Sequence, residues 1–164
     1  MINWEELKHI HVIRKLEEIL AQWFNTDIFI VDERGQVRNY DSQDRRRDFH
    51  NPLASMFFTR EQGRQMVFKH ITETNEKVYN SKDPHVVLPG PTGAENVVVT
   101  KIQVDNEFLG TVYAFAYADK SASEEARAKA RAMMEGWGFD GPAFDLAFSQ
   151  LRVLKIVSHK DRCR

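Results

Sequence analysis

Apolar positions near the start of the chain recur every three or four residues. Between residues 4 and 24 they alternate with charged side chains, and this spacing predicts one amphipathic helix. Because the apolar stripe is wide for a terminal helix, we expect it to cover a sheet, to pair with a second copy of itself, or both. The apolar positions are Leu7, Ile10, Ile13, Leu16, Leu20, Trp23 and Phe24.

The pattern then changes to short runs that are typical of strands. Asp27–Asp32 is rich in β-branched and aromatic residues, and Gln36–Tyr40 follows a turn at Glu33-Arg34-Gly35. The pair predicts a β-hairpin. Most residues from Asp41 to His50 are charged or polar, which predicts a solvated loop.

Two helices are predicted in the middle of the chain. Asn51 can cap a short helix that begins at Pro52, because proline suits the first helical position. The run Thr59–Gln62 matches a capping box, which predicts a longer helix through Asn80. The apolar face of this helix is marked by Val67, Ile71, Thr74 and Val78.

A second group of strands follows the helix-breaking run Ser81–Pro84. Residues typical of turns separate three apolar runs, which predicts an antiparallel meander. Its strands are expected at His85–Leu88, Asn96–Val104 and Phe108–Ala118.

Helical patterns return after the sheet. A capping box at Ser121–Glu124 opens an Ala-rich helix that Gly136 or Gly138 ends. After Gly141-Pro142, a last helical stretch runs through Phe144, Phe148 and Leu151.

These elements predict one α+β domain over residues 1–164. A chain of 164 residues is too short for two ordinary domains. We expect an antiparallel sheet of five to six strands flanked by helices. The parts are an N-terminal helix over residues 4–24, the sheet with its inserted helices over 27–118, and C-terminal helices over 122–155.

Composition excludes several classes of protein. Cys163 is the single cysteine, so neither an internal disulfide nor a zinc–thiolate site is expected, and no histidine is held beside it to make it a nucleophile. The net charge of −1 predicts no direct nucleic-acid partner. Short apolar runs and the start of the chain predict no membrane span and no signal peptide, and hence a cytoplasmic location.

Two segments resemble a known family. The hairpin from Ile28 to Val37 resembles the first hairpin of GAF and PAS sensory domains. The segment from Ile102 to Ala114, with its polar turn and Leu109-Gly110, resembles their closing hairpin. The long helix before the sheet favours GAF over PAS. Over residues 4 to 155, the pattern is similar to the GAF-like module at the front of bacterial activators that carry an AAA+ ATPase and work with the alternative sigma factor.

The resemblance implies signal reception. A pocket on one sheet face would bind a small molecule, and terminal helices would dimerise and carry the response to an ATPase or a DNA-binding partner. The sequence contains no Gly-x-x-x-x-Gly-Lys-Ser/Thr phosphate loop and ends at Arg164. We therefore expect either a stand-alone receiver that acts on another protein or a truncated form of a longer regulator.

Candidate site residues come from several elements. Arg45, Arg46 and Arg47 suit phosphate recognition by their guanidinium groups, although a solvated loop would show the same pattern. On the last strand, Thr111, Tyr113 and Phe115 alternate with smaller residues, Ala116 among them, which would let a helix approach. The candidate ligand residues are Tyr40, Arg46, His70, His85, Thr100, Tyr113 and Phe115.

The histidines are open to a second interpretation. His50, His70 and His85 would form a metal site if the fold brought them together, and His70 or His85 alone would serve as an axial haem ligand. The alternative is that they lie on the surface or form ordinary hydrogen bonds. We expect no metal and no cofactor.

The sequence therefore predicts a non-enzymatic sensory or regulatory module in signal transduction or transcription regulation. It would bind a small molecule and form a homodimer. Two alternatives remain: a dimerisation or scaffolding module without a ligand, and an enzyme that uses histidine and carboxylates on a related fold. The dimer interface is expected at Ile10, Ile13, Leu16 and Leu20.

Overall fold

The architecture is α+β, with helices on both sides of one open sheet. The structure is a computed structural model that describes residues 3–7, 11–40 and 49–153. No helix within these ranges is long and apolar enough to cross a membrane. The elements in chain order are α1 (Trp4–Leu7), α2 (His11–Phe24), β1 (Asp27–Asp32), α3 (Pro52–Phe58), α4 (Glu61–Tyr79), β2 (His85–Pro89), β3 (Glu95–Val104), β4 (Glu107–Ala118), α5 (Glu124–Gly136), α6 (Gly141–Ser149) and β5 (Arg152–Val153).

The sheet has five strands among the described residues. Four run antiparallel in the order β1-β4-β3-β2, and the two residues of β5 pair in parallel with the end of β4. The predicted meander is confirmed. Asp105 and Asn106 join β3 to β4 and both have positive φ, the conformation of the two-residue hairpin turn that follows the sheet twist.

The prediction of a second strand at Gln36–Tyr40 is wrong. Only a single bridge joins Val37 to Val31. The side chain of Asn39 occupies the next position along β1, where it accepts the N–H of Ile30 (2.8 Å) and donates to the carbonyl of Ile28 (2.9 Å). A side-chain amide thus satisfies the edge that a strand backbone was expected to satisfy.

Side-chain caps mark the starts of α3 and α5, whereas α4 starts without one. Asn51 caps α3 as predicted, with its side chain accepting the N–H groups of Leu53 and Ala54. The capping box at Thr59 is wrong, because α4 begins after Arg60 and the Thr59 hydroxyl donates to Met56 instead. The C-terminal Ala-rich helix likewise begins two residues later than its box, with Ser123 as the cap.

The register of the strands defines two faces of the sheet. Phe29, Tyr113, Val99 and Val86 are neighbours on what we call the inner face, which α3 and α4 cover. The predicted face of α4 is buried there, at Val67, Ile71, Thr74 and Val78. The expectation that helices approach the small-residue side of the last strand is therefore wrong. The aromatic side of β4 carries α3 and α4.

The opposite side, the outer face, is covered mainly at one end. Ile30, Val112, Thr100 and His85 are register neighbours across it. α2 packs against β1, and Ile28 and Ile30 are buried there, whereas Val112 is half-buried and Thr100 and His85 are exposed. The strict alternation along β4 ends at Ala116, which the β3 register skips.

Candidate functional site

The centre of the inner face is a hydrogen-bonded pair from α4 and β4. His70 Nδ1 lies 2.8 Å from the hydroxyl of Tyr113, whose side chain is fully buried. The His70 ring also hydrogen-bonds the backbone carbonyl of Pro89. A neutral imidazole satisfies both contacts by accepting the Tyr113 proton and donating to Pro89. Burial lowers the pKa of His70, which favours this neutral form.

A buried carboxyl group lies next to this pair. Glu95 is completely buried at the start of β3 and accepts hydrogen bonds from the N–H and the hydroxyl of Thr92. Burial raises the pKa of Glu95. Burial also raises the pKa of Tyr113 well above its usual value, and the charge of Glu95 adds to that shift. The Glu95 contacts hold the β2–β3 loop in shape, and an added Cβ at Gly90 would collide with the Glu95 side chain.

Aromatic rings occupy the space between the inner face and α3. The ring of Phe29 lies 5.5 Å from that of Phe58 and about as far from those of Tyr40, Phe49 and Tyr113, at 6.2–6.3 Å between centroids. Such distances are those of rings in direct contact. We call this group the aromatic layer: Phe29, Tyr40, Phe49, Phe57, Phe58, Phe68, Tyr113 and Phe115.

The structure separates the predicted ligand residues into three groups. Tyr40, His70, Tyr113 and Phe115 lie in or beside the aromatic layer. His85 and Thr100 are exposed register partners on the outer face, on the other side of the sheet. Arg46 lies outside the described residues, as do Arg45 and Arg47.

The three histidines considered for a metal site do not come together. His70 points to the inner face, His85 lies on the outer face, and His50 is exposed beside the Asp27 side chain. Across residues 3–7, 11–40 and 49–153, no three His, Cys, Asp or Glu side chains are placed as metal ligands.

A groove between α5 and α6 was not predicted from the sequence. Its volume is about 300 Å³. Arg131 is 3.3 Å from Asp145 and 3.1 Å from Glu135, while the Arg127 guanidinium lies over the Phe148 ring at 5.5 Å. The sequence signal is the four-residue spacing of Arg127 and Arg131, which places both on one side of α5. The lining residues are Arg127, Ala128, Arg131, Phe144, Asp145, Phe148 and Ser149.

The side of α2 away from the sheet carries a row of large apolar side chains. Val12 is 71 % exposed, Leu16 44 %, Ile19 50 % and Trp23 69 %. At 100° per residue these four lie within about 60° of the helix circumference. We call them the exposed stripe. Two of them, Val12 and Ile19, are missing from the predicted apolar positions.

The predicted dimer residues fall on different sides of α2. Leu16 belongs to the exposed stripe, whereas Ile13 and Leu20 are half-buried on the side toward β1, next to the buried Ala21. Ile10 lies outside the described residues, together with residues 8 and 9 of the predicted single helix. The wide stripe of the sequence is thus two narrower ones, of which one meets the sheet and the other faces solvent.

Comparison of the chain with protein-family models, with curated proteins and with solved structures gave no match.

Proposed function

We propose that the chain is a non-enzymatic, GAF-like regulatory module of signal transduction or transcription regulation that works as a homodimer joined through the exposed stripe of α2. The observation that carries the proposal is the stripe itself. Single exposed apolar side chains are ordinary on protein surfaces, but a contiguous row of four is typical of an interaction surface.

The spacing of the stripe favours a helix as its partner. Val12, Leu16, Ile19 and Trp23 are separated by four, three and four residues. This is the a/d spacing of a coiled-coil seam, in which side chains of one helix pack between those of another with the same spacing. A second copy of the chain supplies such a helix, and the same patch on two copies makes a closed dimer.

The buried polar groups support a regulatory role over catalysis. His70 uses its ring to connect α4 to Tyr113 and to Pro89, and Glu95 holds the β2–β3 loop. Tyr113 and Glu95 are fully buried, so neither is in reach of a substrate in this conformation. These contacts are those of structural anchors.

In a GAF-like module, the receiver of the signal is an ATPase or a DNA-binding partner.

Sedimentation of the wild type and of the Ile19→Asp variant tests the proposal. We expect the wild type at micromolar concentration to have twice the chain mass of 19.1 kDa, and Ile19→Asp to be monomeric. A charge at the seam must be desolvated in the dimer, and we expect the dissociation constant to rise at least about 100-fold.

Lys69→Asp is the matched control for that experiment. Lys69 is on the exposed side of α4, with 79 % of its side chain accessible, and the substitution also introduces an aspartate on a helix surface. It should leave the mass unchanged. A monomeric wild type, or a dimer that Ile19→Asp leaves intact, would contradict the proposal.

A second candidate function is small-molecule reception in the α5–α6 groove. It is favoured by the groove's volume, which lies at the lower end of the range of ligand sites, and by the Arg127 guanidinium over the Phe148 ring. The expected ligand is an aromatic anion, because arginine binds anions and the ring offers a stacking surface.

Thermal unfolding in the presence of nucleotides and aromatic carboxylates tests this candidate. A ligand should raise the melting temperature of the wild type, and Arg127→Ala should abolish the rise. Lys129→Ala is the control, since Lys129 pairs with Glu125 and does not line the groove. No stabilisation by any compound would rule out reception in the groove.

A further inference from the structure

The residues of the exposed stripe indicate how the second copy is oriented. This inference rests on the proposed dimer. We propose that the two α2 helices pair antiparallel, about a two-fold axis between residues 17 and 18, so that Val12 packs on Trp23 of the partner subunit and Leu16 on the partner's Ile19.

The positions of the stripe residues are symmetric about that axis. Val12 and Trp23 are equally far from it, and so are Leu16 and Ile19. Their exposure follows the same pairing: Val12 and Trp23 are 71 % and 69 % exposed, and Leu16 and Ile19 are 44 % and 50 % exposed. A two-fold axis at this position brings residue i of one copy against residue j of the other and j against i, so that each pair joins side chains of similar exposure.

Side-chain volume favours the antiparallel arrangement over the parallel one. Antiparallel pairing places a small residue against a large one at each end of the seam, Val12 against Trp23, with branched aliphatic residues between them. Parallel pairing would place two valines together at one end and two tryptophans at the other. Pairs of equal total side-chain volume pack along the seam without voids or overlap. In the parallel arrangement the two valines would leave a void at one end, and the two tryptophans would be too large for the other.

Electrostatics act in the same direction with smaller effect. Antiparallel helices bring the positive N-terminal end of one dipole next to the negative C-terminal end of the other.

Disulfide trapping distinguishes the two orientations. Chains carrying Val12→Cys and chains carrying Trp23→Cys, both with Cys163→Ser, are mixed in equal amounts and oxidised. In the antiparallel dimer, position 12 of one chain meets position 23 of the other, and each chain keeps its other stripe end intact. Two copies of position 12 are then about 16 Å apart along the axis, well beyond the 7 Å or so that a disulfide allows between Cα atoms.

We expect the mixed disulfide between the two kinds of chain to dominate, as identified by the mass of the linked peptides. Lys69→Cys, on the exposed side of α4, measures linking by random collision. Dominant links between identical chains would overturn the antiparallel orientation and leave the dimer itself standing. A monomeric mass for the wild type would overturn both.

Discussion

The aromatic layer and the exposed stripe are built from the same kinds of residue, but the fold treats them differently. In the aromatic layer, Phe29 contacts four other rings and the Tyr113 hydroxyl meets His70. On the stripe, Val12 and Trp23 expose more than two thirds of their surface. The single chain thus satisfies the first region and leaves the second for another molecule. Substitutions in the layer should change folding stability, and substitutions on the stripe should change association.

The difference between the aromatic layer and the exposed stripe is tested in a chain that does not form the dimer. All unfolding measurements below are made in the Ile19→Asp background, so that the free energy of unfolding contains no contribution from the dimer. Association is measured separately in the otherwise unchanged chain.

The largest effect on folding is expected for Phe29→Ala. The variant loses a fully buried ring and leaves a cavity among its neighbours, which costs about 4 kcal/mol of unfolding free energy. Urea denaturation followed by circular dichroism measures the change. Phe24→Ala, at a half-exposed ring at the end of α2, is the matched control and should cost much less. Similar losses of unfolding free energy in the two variants would show that the aromatic layer and the exposed surface of α2 do not differ in their contribution to folding.

A smaller effect is expected for Tyr113→Phe. The ring stays in the layer, but His70 loses the hydroxyl proton that its Nδ1 accepts, and we expect a loss of about 1 kcal/mol. Tyr79→Phe is the matched control. It removes a hydroxyl from an exposed ring on α4 and should leave the free energy of unfolding unchanged. Equal values for both variants would show that the His70 contact does not stabilise the fold.

Glu95→Gln should change how stability depends on pH. Burial raises the pKa of Glu95 in the folded chain, so its contribution to stability is present below the unfolded value of about 4.3 and is lost as the pH rises through the folded value. Glutamine cannot ionise, and the variant should gain stability relative to the wild type between pH 4, which is below the unfolded pKa, and pH 8. Urea midpoints at both values measure this. A parallel pH dependence in the two proteins would contradict it, and Glu107→Gln, at an exposed position, is the control.

The smallest effect on folding is expected for Val12→Ser. Val12 lies on the exposed stripe, and its replacement should change the unfolding free energy by less than about 0.5 kcal/mol. In the otherwise unchanged chain, the same substitution should weaken the dimer measurably in sedimentation. A loss of folding stability without a change in association would assign Val12 to the core of its own chain.

Local signals were sufficient for most of the fold. The meander follows from turn residues and apolar runs that need no knowledge of the rest of the chain, and the same holds for the Asn51 cap. The strand predicted at Gln36–Tyr40 fails because the Asn39 side chain replaces backbone pairing along β1. The need for glycine at position 110 is visible only in the fold. An added Cβ there would collide with the carbonyl of Val31 on the neighbouring strand.

The candidate sites depended on information that periodicity does not contain. His70 and Tyr113 were expected in the same site and are in contact, but His85 and Thr100 share the opposite face because the register decides the side of the sheet. On α2, the spacing predicts one wide stripe. It does not show that Leu20 lies toward the sheet while Leu16 faces solvent, because that division follows from how α2 packs on β1.

The proposed dimer requires that a second copy of the chain covers the exposed stripe. Hydroxyl-radical footprinting of the unmodified chain, read by mass spectrometry at increasing protein concentration, measures this at each side chain. We expect oxidation of Leu16 and Trp23 to fall as the dimer forms, while oxidation of the exposed Tyr79 on α4 stays constant. Oxidation of Leu16 and Trp23 that does not depend on concentration would show that the stripe stays open to solvent, and would contradict the account.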